Sequence, residues 1–104
     1  MRAMLTTHLE GAVLTLIGEV DLGTVHVLED AVATTPRLAE VCLDLSGVTF
    51  MDSMGLRALL GLRKMYGQVV FLNPSKAVER LIALTQTERV DGLTIRRDTD
   101  EHAK

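Results

Sequence analysis

Between residues 41 and 60 the hydrophobic period of this chain changes from strand-like to helical, and the pair Asp52-Ser53 stands at the change. Val41-Cys42-Leu43-Asp44-Leu45 alternates as a largely buried strand does. Leu56, Leu59, Leu60 and Arg63 then recur at the i, i+3, i+4, i+7 spacing of one helical face, with Leu62 widening the stripe. Asp52 and Ser53 therefore fall at a helix N-terminus, whose unpaired N–H groups and positive dipole end can hold an anion, including a phosphate on its own serine. Asp and Ser are both favoured N-caps, and the plain reading is that the pair is only a cap. One cap suffices, however. If Asp52 takes that role, Ser53 becomes the first helical residue with its hydroxyl free. Gly55 costs roughly 1 kcal/mol relative to Ala in a helix interior and leaves the first turn bare. Either a partner's backbone or a neighbouring strand can use the space. Met54 is soft enough for a core or a contact surface.

The rest of the chain repeats this alternation. Residues 12–18 read as a strand, and residues 3–9 can pair with it across a turn at Glu10-Gly11. Asp21 can cap a helix over about 22–34, with Leu22, Val25, Leu28 and Val32 as its stripe and Pro36 closing it. Val69-Val70-Phe71-Leu72 is a third apolar run. Ser75 then caps a helix carrying Val78, Leu81, Ile82 and Thr85 on one face. Asp91-Gly92 turns the chain into a short strand, Leu93-Thr94-Ile95, and residues 98–104 form a polar tail of which no packing is expected. Strands alternating with helices imply β-α-β units, hence an α/β domain with a sheet parallel at its centre. In such sheets the loops at the carboxyl ends of strands carry function, and Glu19–Asp21, Ser46–Ser53 and Asn73–Ser75 are expected to converge there.

A chain of 104 residues with 47% hydrophobic residues makes one domain, 1–104, with a core of its own. The single Cys42 excludes an internal disulfide and fits a reducing, cytoplasmic setting. No apolar stretch approaches the ~18 residues of a membrane span, so direct membrane insertion is not expected. A net charge of −3 with mixed signs, and three aromatic residues, argue against nucleic acid as a partner. His8, His26 and His102 match no metal-ligand spacing and read as surface residues; no metal or cofactor is expected.

Two enzyme motifs nearly match. Gly18 and Gly23 have the separation of P-loop glycines, but Thr24-Val25 stands where Lys-Ser/Thr is required, and Glu19 and Asp21 would repel phosphates. Met51-Asp52-Ser53-Met54-Gly55 approaches a G-x-S-x-G nucleophile elbow, with Met51 in place of the first glycine. A serine hydrolase of that order needs a downstream histidine, and only His102 follows Ser53. No catalytic residue is assigned, and the protein is read as a non-enzyme.

Three segments in order resemble the STAS domain family, in particular its small stand-alone anti-sigma-factor antagonists. They are Leu16-Ile17-Gly18-Glu19-Val20-Asp21, the central run from Val41 to Leu56, and Asn73 to Leu81. The resemblance spans about residues 12–97 and implies a single STAS-like α/β domain. Its sheet would be mixed and mostly parallel, of four or five strands with helices packed on it. The family's C-terminal helix would have to fit within about Asp98–Lys104, so it is expected to be short or absent. By resemblance, the unphosphorylated protein binds an anti-sigma factor that is also a serine kinase, frees a sigma factor, and so regulates transcription in response to stress. Phosphorylation of Ser53 releases it, and a phosphatase reverses the step. The implied phosphoacceptor is Ser53, and the implied partner surface comprises Glu19, Asp21, Asp52, Ser53, Met54 and Gly55. Met54 departs from the second small hydroxyl residue that the family often has there. STAS domains also serve as cytosolic adaptor subunits of lipid-transport ABC complexes and as domains of anion transporters. An adaptor without phospho-switching is the alternative reading.

Overall fold

The computed structural model describes residues 4–11, 13–34 and 40–97. Pro36, the polar tail 98–104 with His102, and the place of a short or absent C-terminal helix lie outside them. Strands β1 (Leu5–Glu10), β2 (Val13–Val20), β3 (Glu40–Met51), β4 (Gln68–Leu72) and β5 (Leu93–Arg96) form one sheet in the order β1-β2-β3-β4-β5. Helix α1 (Val25–Ala33) follows β2, α2 (Ser53–Leu60) follows β3 and runs on into a 3₁₀ turn at Gly61–Lys64, and α3 (Lys76–Thr85) follows β4. β1 is antiparallel to β2 and every other pair is parallel, the mixed, mostly parallel α/β sheet expected of the chain.

Each crossover steps the same way across the sheet, and right-handed crossovers then place all three helices on one face. A single core lies between them, with Leu14, Leu43 and Phe71 from the sheet beneath Leu28, Leu59 and Ile82 from the helices. On the opposite face Thr15, Asp44, Leu72 and Arg96 are half-buried or exposed, while Val70 is buried. The β1–β2 hairpin turns at Gly11, whose φ of +63° suits glycine.

β3 departs most from expectation. The apolar run Val41–Leu45 suggests a five-residue strand followed by a loop to Ser53, yet β3 extends to Met51. Twice it carries one residue more than β2, between the pairs Thr15↔Asp44 and Ile17↔Gly47, and between Gly18↔Val48 and Glu19↔Phe50. Each bulge resets the alternation, so Leu45, Val48 and Met51 all face inward at three-residue steps. β4 pairs with β3 only from Glu40 to Asp44, and beyond that point β3 pairs with β2 alone.

Two helices also begin or end differently. α1 starts at Val25, three residues later than expected, and Leu22 lies outside it with 69% of its surface exposed. Its buried stripe is Leu28 and Val32. In α2 the α-helical bonding ends at Leu60, and the 3₁₀ turn brings Leu62 inward. Arg63 is not on the buried face: its side chain donates to the carbonyls of Leu60 (2.9 Å) and Asp91 (2.8 Å) on the surface. Ser75 caps α3 as expected, its hydroxyl accepting from the Val78 amide, and Gly92 turns at a φ of +85°.

Candidate functional site: the β3–α2 junction

Asp52 is the N-cap of α2. Its backbone is extended, and its Oδ1 accepts from the Gly55 amide at 2.8 Å. Ser53 is therefore the first helical residue, exposed, and its hydroxyl makes no hydrogen bond with any described residue. Met54 is exposed beside it. The remaining member of the expected surface, Gly55, faces the other way. It is buried, and a Cβ there would come within 2.1 Å of the Val20 carbonyl oxygen and 2.7 Å of its carbon. Of the two explanations for a bare first turn, close approach to a neighbouring strand is the one the structure displays. α2 starts hard against the end of β2, where the Asp52 amide donates to the Val20 carbonyl at 3.3 Å.

That contact brings the β2–α1 turn to the junction. Glu19 and Asp21 flank Val20, and both are half-buried. Thr24, 2% exposed, holds the turn in shape. Its hydroxyl donates to the Glu19 carbonyl at 2.7 Å and accepts from the Asp21 amide at 3.0 Å, while Asp21 Oδ1 accepts from the Thr24 amide at 3.1 Å. Asp21 thus caps this turn, not α1 itself, whose N-cap Thr24 makes no side-chain capping bond. Sequence reasoning assigned Thr24 no such role. The signal available was the Asp-x-x-Thr spacing, which permits two reciprocal bonds. Leu22 in the same turn, Phe50 near the end of β3 and Met54 in the first turn of α2 are exposed apolar residues.

The third loop expected at this site meets the Ser46 end of the Ser46–Ser53 segment. Asn73–Ser75 ends β4 at the level of Leu45, where the Ser75 amide donates to the Leu45 carbonyl at 3.2 Å. Six further residues of β3, two of them taken up by the bulges, separate that point from Met51, and the facing stretch of β2 covers the span in four to five steps, roughly 15 Å. Around Asn73–Ser75 lie Ser46, Lys76, and Glu79 with Arg97. The Arg97 guanidinium donates to both Glu79 oxygens, at 2.5 and 2.7 Å, and this hydrogen bonding holds the Glu79 carboxyl below the usual glutamate range.

No ion pair or hydrogen bond to another side chain activates Ser53, so the nucleophile-elbow likeness finds no support among the described residues. His8 and His26 are exposed and lie on β1 and α1. Burial raises the Cys42 thiol above its usual range, with the Glu40 carboxylate adding to the effect. Among the described residues no helix is long and apolar enough to cross a membrane.

The fold and junction define a one-sided α/β domain that offers a free serine hydroxyl at the start of a strand-anchored helix. The STAS domain model matches residues 3–102, and the chain belongs to that family. No curated sequence matches it at a significant level. Solved structures do. A Thermotoga maritima protein assigned as an anti-sigma factor antagonist superposes with a TM-score of 0.70 at 20% identity, covering 95% of this chain and 91% of its own. An anti-sigma factor antagonist from Mycobacterium paratuberculosis gives 0.70 at 24% identity, covering 89% and 86%. The anti-sigma factor antagonist SpoIIAA in its unphosphorylated form gives 0.66 at 16% identity, covering 95% and 93%. At these identities the likeness is one of fold.

Proposed function

We propose that this protein is an anti-sigma-factor antagonist whose affinity for its partner is switched by phosphorylation of Ser53. The observation that carries the reading is the division of roles at the junction. Asp52 caps α2, and the exposed Ser53 hydroxyl holds nothing together. Membership of the STAS family and a fold shared with three antagonists support it.

In this reading the unmodified protein docks on an anti-sigma factor that is also a serine kinase, through Ser53, Met54 and Asp52 with Glu19 and Asp21 on the adjoining turn. Gly55 sets the position of that surface from below. A phosphoserine brings about −1.5 to −2 charge to a helix end that favours anions, so the fold tolerates it. The same charge beside Asp52 penalises an apposed partner through repulsion and desolvation. A phosphatase restores the binding form. The protein acts in the cytoplasm as a binding partner in transcription control under stress and catalyses nothing itself.

The test is intact-mass analysis with peptide mapping of protein from its native cells, with and without phosphatase treatment. A removable phosphate on Ser53 is expected. A serine unmodified across growth and stress conditions overturns the reading and favours a STAS adaptor of a membrane transporter.

A further inference from the structure

A shallow groove runs along α2 from Ser53 to Lys64, with Thr85, Thr87 and Val90 as its far wall. Among the described residues no acidic side chain lines it, while Arg57, Arg63 and Lys64 do. Arg63 is engaged with the carbonyls of Leu60 and Asp91. Lys64 lies eleven residues beyond Ser53, roughly 18 Å along the helix and 3₁₀ turn, beyond useful reach at physiological ionic strength. Arg57 differs from both. It is exposed, its guanidinium has no hydrogen-bond or ion-pair partner among the described residues, and it sits at i+4 from Ser53 on the same helical face.

We infer that Arg57 is the built-in counter-charge of phosphorylated Ser53, closing on the phosphate in an i→i+4 pair and thereby withdrawing a cation from the surface offered to the partner. The inference rests on the phosphoacceptor role of Ser53. Three physical points carry it. Residues at i and i+4 on a helix have Cβ atoms about 5–6 Å apart, which an arginine side chain spans with ease. Long helical side chains lean toward the helix N-terminus, so Arg57 leans toward Ser53. An anion placed N-terminal to its cation is the favourable orientation of such a pair, and a guanidinium can meet phosphate oxygens two at a time. The Asp52 carboxylate caps the helix through the Gly55 amide and makes no ion pair with Arg57.

Phosphorylation on this account changes the surface twice. It adds a dianion and it occupies the one cation of the groove that is both free and within reach. An acidic group of a partner that faces Arg57 in the unmodified complex then loses its attraction as well as meeting repulsion.

The test uses full-length protein with phosphoserine installed at position 53 during translation, so no native kinase is needed. ³¹P NMR titration at low salt reads the second ionisation of the phosphate, ordinarily near pH 6. In otherwise unaltered protein it is expected about 0.3 pH units lower than in the Arg57→Gln variant, from the usual strength of an i, i+4 pair. Arg57→Lys should keep part of the shift, and about 0.5 M salt should shrink it. Superimposable titrations of the parent and Arg57→Gln proteins, with both shown folded by circular dichroism, overturn the inference. A native protein found without phosphate would instead overturn the phosphoacceptor role and leave this titration as it is.

Discussion

Replacing Gly55 by Ala sets helix propensity against packing, and the structure says which wins. In an exposed helix, Gly→Ala stabilises by about 1 kcal/mol. At Gly55 the new Cβ would stand 2.1 Å from the Val20 carbonyl oxygen and 2.9 Å from Val20 Cγ1. The carbonyl cannot simply turn aside, since it accepts the Asp52 amide that ties α2 to β2. Relief requires α2 to retreat by about 1 Å, which loosens Leu56 and Leu59 in the core and stretches that hydrogen bond. Overpacking of this kind costs about 1–3 kcal/mol and a weakened backbone bond about 1 more. After the propensity gain, a net loss of roughly 2 kcal/mol is expected, or about 8–16 °C in Tm for a domain of this size. Gly61→Ala is the matched control, because a Cβ there meets nothing within 4 Å and its φ is −62°. That variant should gain about 0.4–1 kcal/mol. Urea unfolding followed by circular dichroism reads both. If Gly55→Ala proves as stable as the parent, the strand does not need the space, and the bare turn must serve a partner instead.

Asp52→Ala should lose about 1 kcal/mol as the cap of α2 is removed, whereas Ser53→Ala should stay within about 0.5 kcal/mol of the parent; equal losses in urea unfolding would contradict the assignment of the cap. Thr24→Val keeps the shape of the side chain but strands the Glu19 carbonyl and the Asp21 amide, so about 1–3 kcal/mol should be lost, with faster hydrogen exchange confined to the β2–α1 turn. Glu79 carries a depressed folded-state pKa, so its bond to Arg97 contributes above the unfolded value near 4.3 and is lost as pH falls through the lower folded one. Arg97→Gln should therefore raise the Glu79 pKa in an NMR titration and flatten stability below about pH 4.5, by well under 1 kcal/mol for so exposed a pair; an unmoved Glu79 titration would refute the bond.

Features decided by neighbours in sequence were legible before any coordinates. The Asp52 and Ser75 caps, the turn at Asp91-Gly92 and the order of strands and helices follow from local side-chain chemistry and hydrophobic period. Features decided across the sheet were not. Ser46-Gly47 reads as a strand end, yet pairing with β2 carries β3 through it, and two bulges turn an expected period of two into steps of three at Leu45, Val48 and Met51. The misplaced strand end carried the loops with it. Asn73–Ser75 meets the Ser46 end of the Ser46–Ser53 segment, which pairing has made strand. Leu22 reads as part of a buried stripe because it is apolar, but the Thr24 bonds hold its segment in a turn outside the helix. Gly55 left two explanations open, and only the position of Val20 decides between them.

The overhang of β3 beyond β4 has a mechanical side. Past the Leu45 carbonyl, which accepts from Ser75, the strand is a cantilever hydrogen-bonded to β2 along one edge, with Phe50 and Met51 beside Ala77 and Leu81 of α3. A pull at Ser53 is shared between the β2–β3 ladder behind it and the run of α2 and its 3₁₀ turn, which leads on into β4. The serine end is thus tied to both halves of the sheet, by hydrogen bonds to one and by the chain itself to the other.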